Sequence, residues 1–178
     1  MCQPTNDGWH APAKIAFRFE WVATTSTPQD LAELFAIPPD GRGLPPGKGT
    51  YAQGEKVYAD SCAVCHGDKL QGNPTASIGG DKLIGGRGTL ASSTPVKTVE
   101  SYWPYATTLF DYIKRAMPFN APGSLSDDDV YSVVAYILSE AEMIKATDRM
   151  NATMLPKVVM PNRDGFEGDP RPELQLYR

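Results

Sequence analysis

The chain has little of what usually marks chemistry: three cysteines and two histidines in 178 residues. It has no apolar run near the roughly 20 residues that a membrane-spanning helix requires, so none of its helices is expected to cross a bilayer. It has no basic surplus either. Seventeen Lys and Arg stand against twenty-one Asp and Glu, a net charge of −4, which leaves nothing to neutralise a phosphate backbone and turns the reading away from nucleic acid. The first ten residues, MCQPTNDGWH, lack the basic and apolar regions of a secretory signal, so the protein is either cytosolic or begins after cleavage. Glycine and proline are plentiful, sixteen of each, well above the usual combined share of roughly 12%. Much irregular backbone is expected, on one ordinary domain with extensions.

Ile15, Phe17, Phe19 and Trp21 occupy alternate positions with charged residues between them, the period of a half-buried strand over 13–22. Thr27 followed by Pro28 predicts a short helix over about 28–36. Residues 38–49 are punctuated by Pro and Gly and read as a linker or surface loop. Thr50 with Gln53 has capping-box spacing and opens a helix. Apolar residues at 109, 110 and 113 predict another over 105–117. Ser126 caps a third helix, with Asp127, Asp128 and Asp129 in its positive first turn and Leu125 and Val130 at staple spacing. Its Val130, Val133, Val134, Ile137, Leu138 and Ala141 share one core-facing stripe.

Two of the three cysteines and one of the two histidines fall within five positions: Ser61-Cys62-Ala63-Val64-Cys65-His66. Cys-x-x-Cys-His is the attachment pattern of c-type haem. Two thiols three positions apart can form thioethers to the two vinyl groups, and the next residue supplies an imidazole to the iron. A thioredoxin-like pair would need a preceding strand and a βαβ context, which the pattern lacks. A zinc site would need four ligands, and the remaining Cys2 and His10 lie far away in sequence. From Gly67 to Pro104 no periodicity persists, and so long an irregular stretch fits a loop wrapped around a cofactor.

The sixth iron position has several candidates. Met117 is the strongest, since it ends a helix and Pro118 stops that helix, freeing its side chain to project from a turn. His10, on the N-terminal arm, is the competitor, and an open site is the remaining alternative. Met143, Met150, Met154 and Met160 read as packing. Cys2 is most simply an idle thiol; the alternative is a lipid anchor at the N-terminus.

Gly54-Glu55-Lys56-Val57-Tyr58 and Val134-Ala135-Tyr136 resemble the crossing first and last helices of class I cytochromes c. More narrowly, residues 85–90, 102–138 and 160–166 look like the cytochrome c subunits of bacterial sulfite dehydrogenases and of the sulfane dehydrogenase of the sulfur-oxidising system. The resemblance covers about 50–166. It implies thioethers at Cys62 and Cys65, axial ligands His66 and Met117, and Arg87, Trp103 and Tyr105 as partners of the haem propionates, with the Pro74 carbonyl holding the other nitrogen of His66. The pattern departs in two respects. The sulfane dehydrogenase subunit carries two haems where this chain has one motif, and the small sulfite dehydrogenase subunits lack so long an N-terminal arm.

The expected architecture is mainly α: an N-terminal arm over 1–49, a class I cytochrome c domain over 50–145 and a C-terminal extension over 146–178. The expected function is mono-haem electron transfer, taking electrons from a molybdenum sulfite or sulfane dehydrogenase-type partner in the periplasm and passing them to a respiratory acceptor, with no bond chemistry of its own. A haem enzyme acting on an inorganic sulfur compound and a haem gas sensor are the alternatives; both require an open iron. The 13–22 strand would pack on its own domain or join a partner's sheet.

Overall fold

A computed structural model describes residues 36–75, 79–168 and 171. Cys2, His10, the alternating segment 13–22 and residues 28–35 of the expected helix lie outside the described residues.

The first helix among the described residues, α1 (Tyr51–Ser61), starts where the sequence places it: Thr50 is extended at φ −129 and ψ 157, and its Oγ1 accepts the Gln53 N–H at 3.3 Å. A single-turn helix, α2 (Ala63–His66), follows directly, with Cys62 at the junction. After a long irregular stretch come α3 (Ala106–Ala116) and α4 (Asp127–Glu140). Ser126 caps α4 reciprocally with Asp129, accepting its N–H at 3.2 Å and donating to its carboxylate at 2.6 Å. This satisfies a donor that the helix itself leaves unpaired.

The last helix is the centre of the fold. Its residues from Val130 to Leu138 are all buried, more than the single stripe that the periodicity predicts, because α1, α3 and a two-stranded ribbon cover it from several sides. That ribbon pairs β1 (Lys48–Gly49) antiparallel with β2 (Met150–Asn151), Lys48 opposite Asn151. It ties the end of the N-terminal arm to the start of the C-terminal extension. Met150, Leu155 and Met160 are almost fully buried, so the extension folds over its own domain at least as far as Met160.

The α1–α4 crossing is close enough to require glycine. A Cβ at Gly54 would lie 1.9 Å from the Ser132 carbonyl oxygen and 2.8 Å from Tyr136 Cβ. The rings of Tyr58 and Tyr136 fill the corner, with centroids 5.1 Å apart. Helices α1 to α4 and the loops between them line one cavity.

Candidate functional site

The helix break at Cys62 sets up the site. Cys62 N–H still bonds to the Tyr58 carbonyl at 2.9 Å, while the Cys62 carbonyl accepts the N–H groups of Cys65 and His66 at 3.1 and 2.9 Å. The single turn that results carries Cys62, Val64, Cys65 and His66 into the lining of one cavity of about 770 Å³. No disulfide joins the two motif cysteines. Burial, and then the neighbouring Cys65, pushes the Cys62 thiol up to about 11.

The irregular chain after the motif returns to clamp it. Gly72 N–H donates to the His66 carbonyl at 2.7 Å and Gly80 N–H to the Cys65 carbonyl at 3.1 Å; Leu83 N–H reaches the Leu70 carbonyl at 2.9 Å. A Cβ at Gly80 would stand 2.6 Å from Cys65 O and 2.9 Å from His66 Nδ1. This return brings the Asp81 carbonyl oxygen to 2.7 Å from His66 Nδ1. A carbonyl only accepts, so Nδ1 carries the proton and Nε2 keeps the lone pair that a metal needs. The acceptor is Asp81 rather than Pro74, because the chain turns back and lays residues 80–83 beside the motif. Tyr58 completes the frame from below, donating its hydroxyl to the Gly67 carbonyl at 2.7 Å.

Met117 lines the same cavity. It is the residue after α3, extended at φ −122 and ψ 147, its N–H bonded to the Ile113 carbonyl at 3.1 Å. Lys114 fastens this corner to the start of α4, reaching the Leu125 carbonyl at 3.1 Å and the Asp127 carboxylate at 2.7 Å. Buried Val99, Leu109, Ile113, Val133 and Ile137 supply an apolar wall.

Trp103 also lines the cavity. Arg87 and Tyr105 lie outside that lining. Arg87 pairs with Glu100 and donates to the Ala141 carbonyl, and it borders a second depression with Met143, Met160, Asn162 and Arg163. Tyr105 precedes α3, with the Arg163 guanidinium 6.0 Å from its ring centroid. Sequence reasoning missed Asp81, whose part is played by the main chain and leaves no side-chain signal. It also missed Gly80 as a contact of the motif, although the Gly79-Gly80 pair marks a place where backbone could come close.

Residues 49–137, half of the chain, match the family profile described as cytochrome C oxidase, cbb3-type, subunit III. The chain belongs to this cytochrome c family. It is 37% identical to a chain of the crystal structure of the sulfane dehydrogenase SoxCD from Paracoccus pantotrophus, covering 85% of this chain and 74% of that one with a TM-score of 0.73. It is 33% identical over 95 residues to a thiosulfate dehydrogenase of Stutzerimonas stutzeri (strain A1501), covering 53% of this chain and 29% of that protein. A thiosulfate dehydrogenase of Psychrobacter arcticus is 28% identical over 123 residues, 63% of this chain and 34% of that protein. The chain thus spans about a third of the length of the curated relatives it matches, and it is a cytochrome c related to sulfur-compound dehydrogenases.

The cofactor of such a domain is haem c, and the residues present fit it. The cavity lies within the roughly 300–1,000 Å³ of cofactor pockets; its walls are mostly apolar, two thiols stand beside an imidazole of fixed tautomer, and the thioether of Met117, just past α3, lines the same space. Haem iron would supply reversible one-electron chemistry at this place.

Proposed function

We propose that this cytochrome c holds one haem, bound covalently through Cys62 and Cys65 with His66 and Met117 as axial ligands, and that it acts as an electron-transfer protein or subunit in the periplasm. It takes electrons from a molybdenum sulfite or sulfane dehydrogenase-type partner and hands them to a respiratory acceptor. The observation that carries this reading is the convergence of His66 and Met117 on one cavity: with both axial positions supplied by the chain, the protein exchanges electrons and leaves bond chemistry to its partner. The likeness to a sulfane dehydrogenase chain over 85% of this sequence supports the choice of partner.

The test has two steps. Alkaline pyridine should give a haemochrome that stays with the denatured polypeptide at one haem per chain. Sulfite should then reduce the protein only when a molybdenum dehydrogenase is added. Colour that separates from the peptide, or reduction without the partner, counts against the proposal.

A second reading, a haem enzyme acting directly on an inorganic sulfur compound, is favoured by the two thiosulfate dehydrogenases among the relatives. It requires an exchangeable iron position. Rapid binding of carbon monoxide by the reduced protein, with reduction by thiosulfate alone, would establish it over the first.

A further inference from the structure

The geometry points to Glu100 as a positioning residue for the haem cavity, holding the wall formed by Lys97, Thr98 and Val99 and tying it, through an ion pair with Arg87, to the end of α4. The inference rests on the reading of that cavity as a haem site.

The Glu100 side chain is only 13% exposed. One carboxylate oxygen pairs with Arg87 Nε and the other accepts the Gly85 N–H. Arg87 donates through another nitrogen to the carbonyl of Ala141, the residue that ends α4, where a helix leaves carbonyls unsatisfied and presents the negative end of its dipole. The Gly85 carbonyl accepts from Thr98 Oγ1 at 2.7 Å, and that same hydroxyl oxygen accepts the N–H groups of Glu100 and Ser101, each at 3.1 Å. Ser101 Oγ closes the set by donating to the Val96 carbonyl at 2.6 Å.

Thr98 and Ser101 are buried, so these bonds face little competition from water. Lys97, Thr98 and Val99 line the haem cavity, whereas Arg87 borders the second depression, of about 570 Å³. Glu100 stands between them. It couples one wall of the cavity to the end of the helix at the centre of the fold, and the Arg87–Glu100 pair is electrically neutral as long as both members remain. Removing Arg87 leaves the little-exposed Glu100 carboxylate uncompensated, whereas removing Glu100 leaves a half-exposed guanidinium without its partner.

The experiment uses the haem-loaded protein with Glu100→Gln, Arg87→Gln and the double substitution. Glutamine at 100 keeps the size and an acceptor for Gly85 but loses the charge. Haem content by pyridine haemochrome should match wild type in all three. Both single variants should alter the Soret circular dichroism well below their melting temperatures, and their midpoint potentials should move in opposite directions, up without the carboxylate and down without the guanidinium. The Tm loss of the double variant should be no larger than that of the worse single one.

If the double variant loses the sum of the two Tm changes, or Glu100→Gln leaves both the Soret signal and the potential at wild type, Glu100 does not position the wall. Should Glu100→Gln fail to fold, Glu100→Asp keeps the charge but shortens the reach by one methylene; it should change the Soret signal, and an unchanged signal rejects the assignment. A wild-type chain without haemochrome overturns the haem reading and this assignment with it.

Discussion

His66 Nδ1 lies 2.7 Å from the main-chain oxygen of Asp81, so the orientation of the imidazole depends on backbone placement and not on the aspartate side chain. Asp81→Asn is therefore expected to leave the visible spectrum unchanged and stability within roughly 0.5 kcal/mol of wild type. Gly80→Ala should behave differently, because its new Cβ would meet Cys65 O at 2.6 Å and the His66 ring at 2.9 Å. Overpacking of this kind costs about 1–3 kcal/mol, and here it falls on the haem motif. Haemochrome yield per chain and the ferric spectrum check both outcomes.

Met117 is expected to matter through its sulfur more than its bulk. A thioether ligand favours the ferrous state and raises the potential, so Met117→Ala should lower the midpoint potential and let the reduced protein bind carbon monoxide. The thioether-to-iron charge-transfer band of the ferric protein should disappear. Retention of that band in Met117→Ala would remove Met117 from the ligand set.

The helix crossing predicts a stability defect with no direct contact to the ligands. Gly54→Ala places a methyl group 1.9 Å from the Ser132 carbonyl oxygen. Backbone, unlike a flexible side chain, cannot swing aside, so α1 and α4 must separate. A loss of about 3 kcal/mol, at the upper end of ordinary overpacking, is expected in denaturant unfolding. A loss below roughly 1 kcal/mol would mean that the two helices are not held this close in solution.

Local rules made the helices and the motif readable. Thr50 and Ser126 announce their helices because a cap is a short-range hydrogen bond written in adjacent residues, and both caps are present. Cys-x-x-Cys-His carries its spacing on one turn, and the Gly54 crossing came from the resemblance of residues 54–58 and 134–136 to class I cytochromes c. What was not legible depends on long-range return of the chain. The Asp81 carbonyl reaches His66 only because residues 79–83 fold back on 65–73, and backbone oxygens look the same in every sequence. The pairing of Lys48 with Asn151 joins two segments that read as an arm and an extension, since two-residue strands have no period to detect. Arg87 shows the same limit: its charge invites an anionic partner, but only the tertiary fold brings up Glu100 and the end of α4.

The tyrosines give the fold an alkaline limit. Tyr131 is fully buried and donates its hydroxyl to the Pro45 carbonyl at 2.9 Å. Burial, and after it the Asp127 carboxylate, pushes its ionisation from 10.0 up to about 12. A folded value raised above the unfolded one means that the folded chain prefers the protonated phenol. The stabilisation is therefore fully present below pH 10 and is lost as pH rises from about 10 to about 12. Tyr131→Phe removes one hydrogen bond and should cost about 1 kcal/mol at neutral pH, but it also removes this proton linkage. Denaturant unfolding across pH 8–12 should show the variant losing less stability than wild type in the upper part of the range. Parallel curves for the two proteins would show that Tyr131 does not contribute to the alkaline transition.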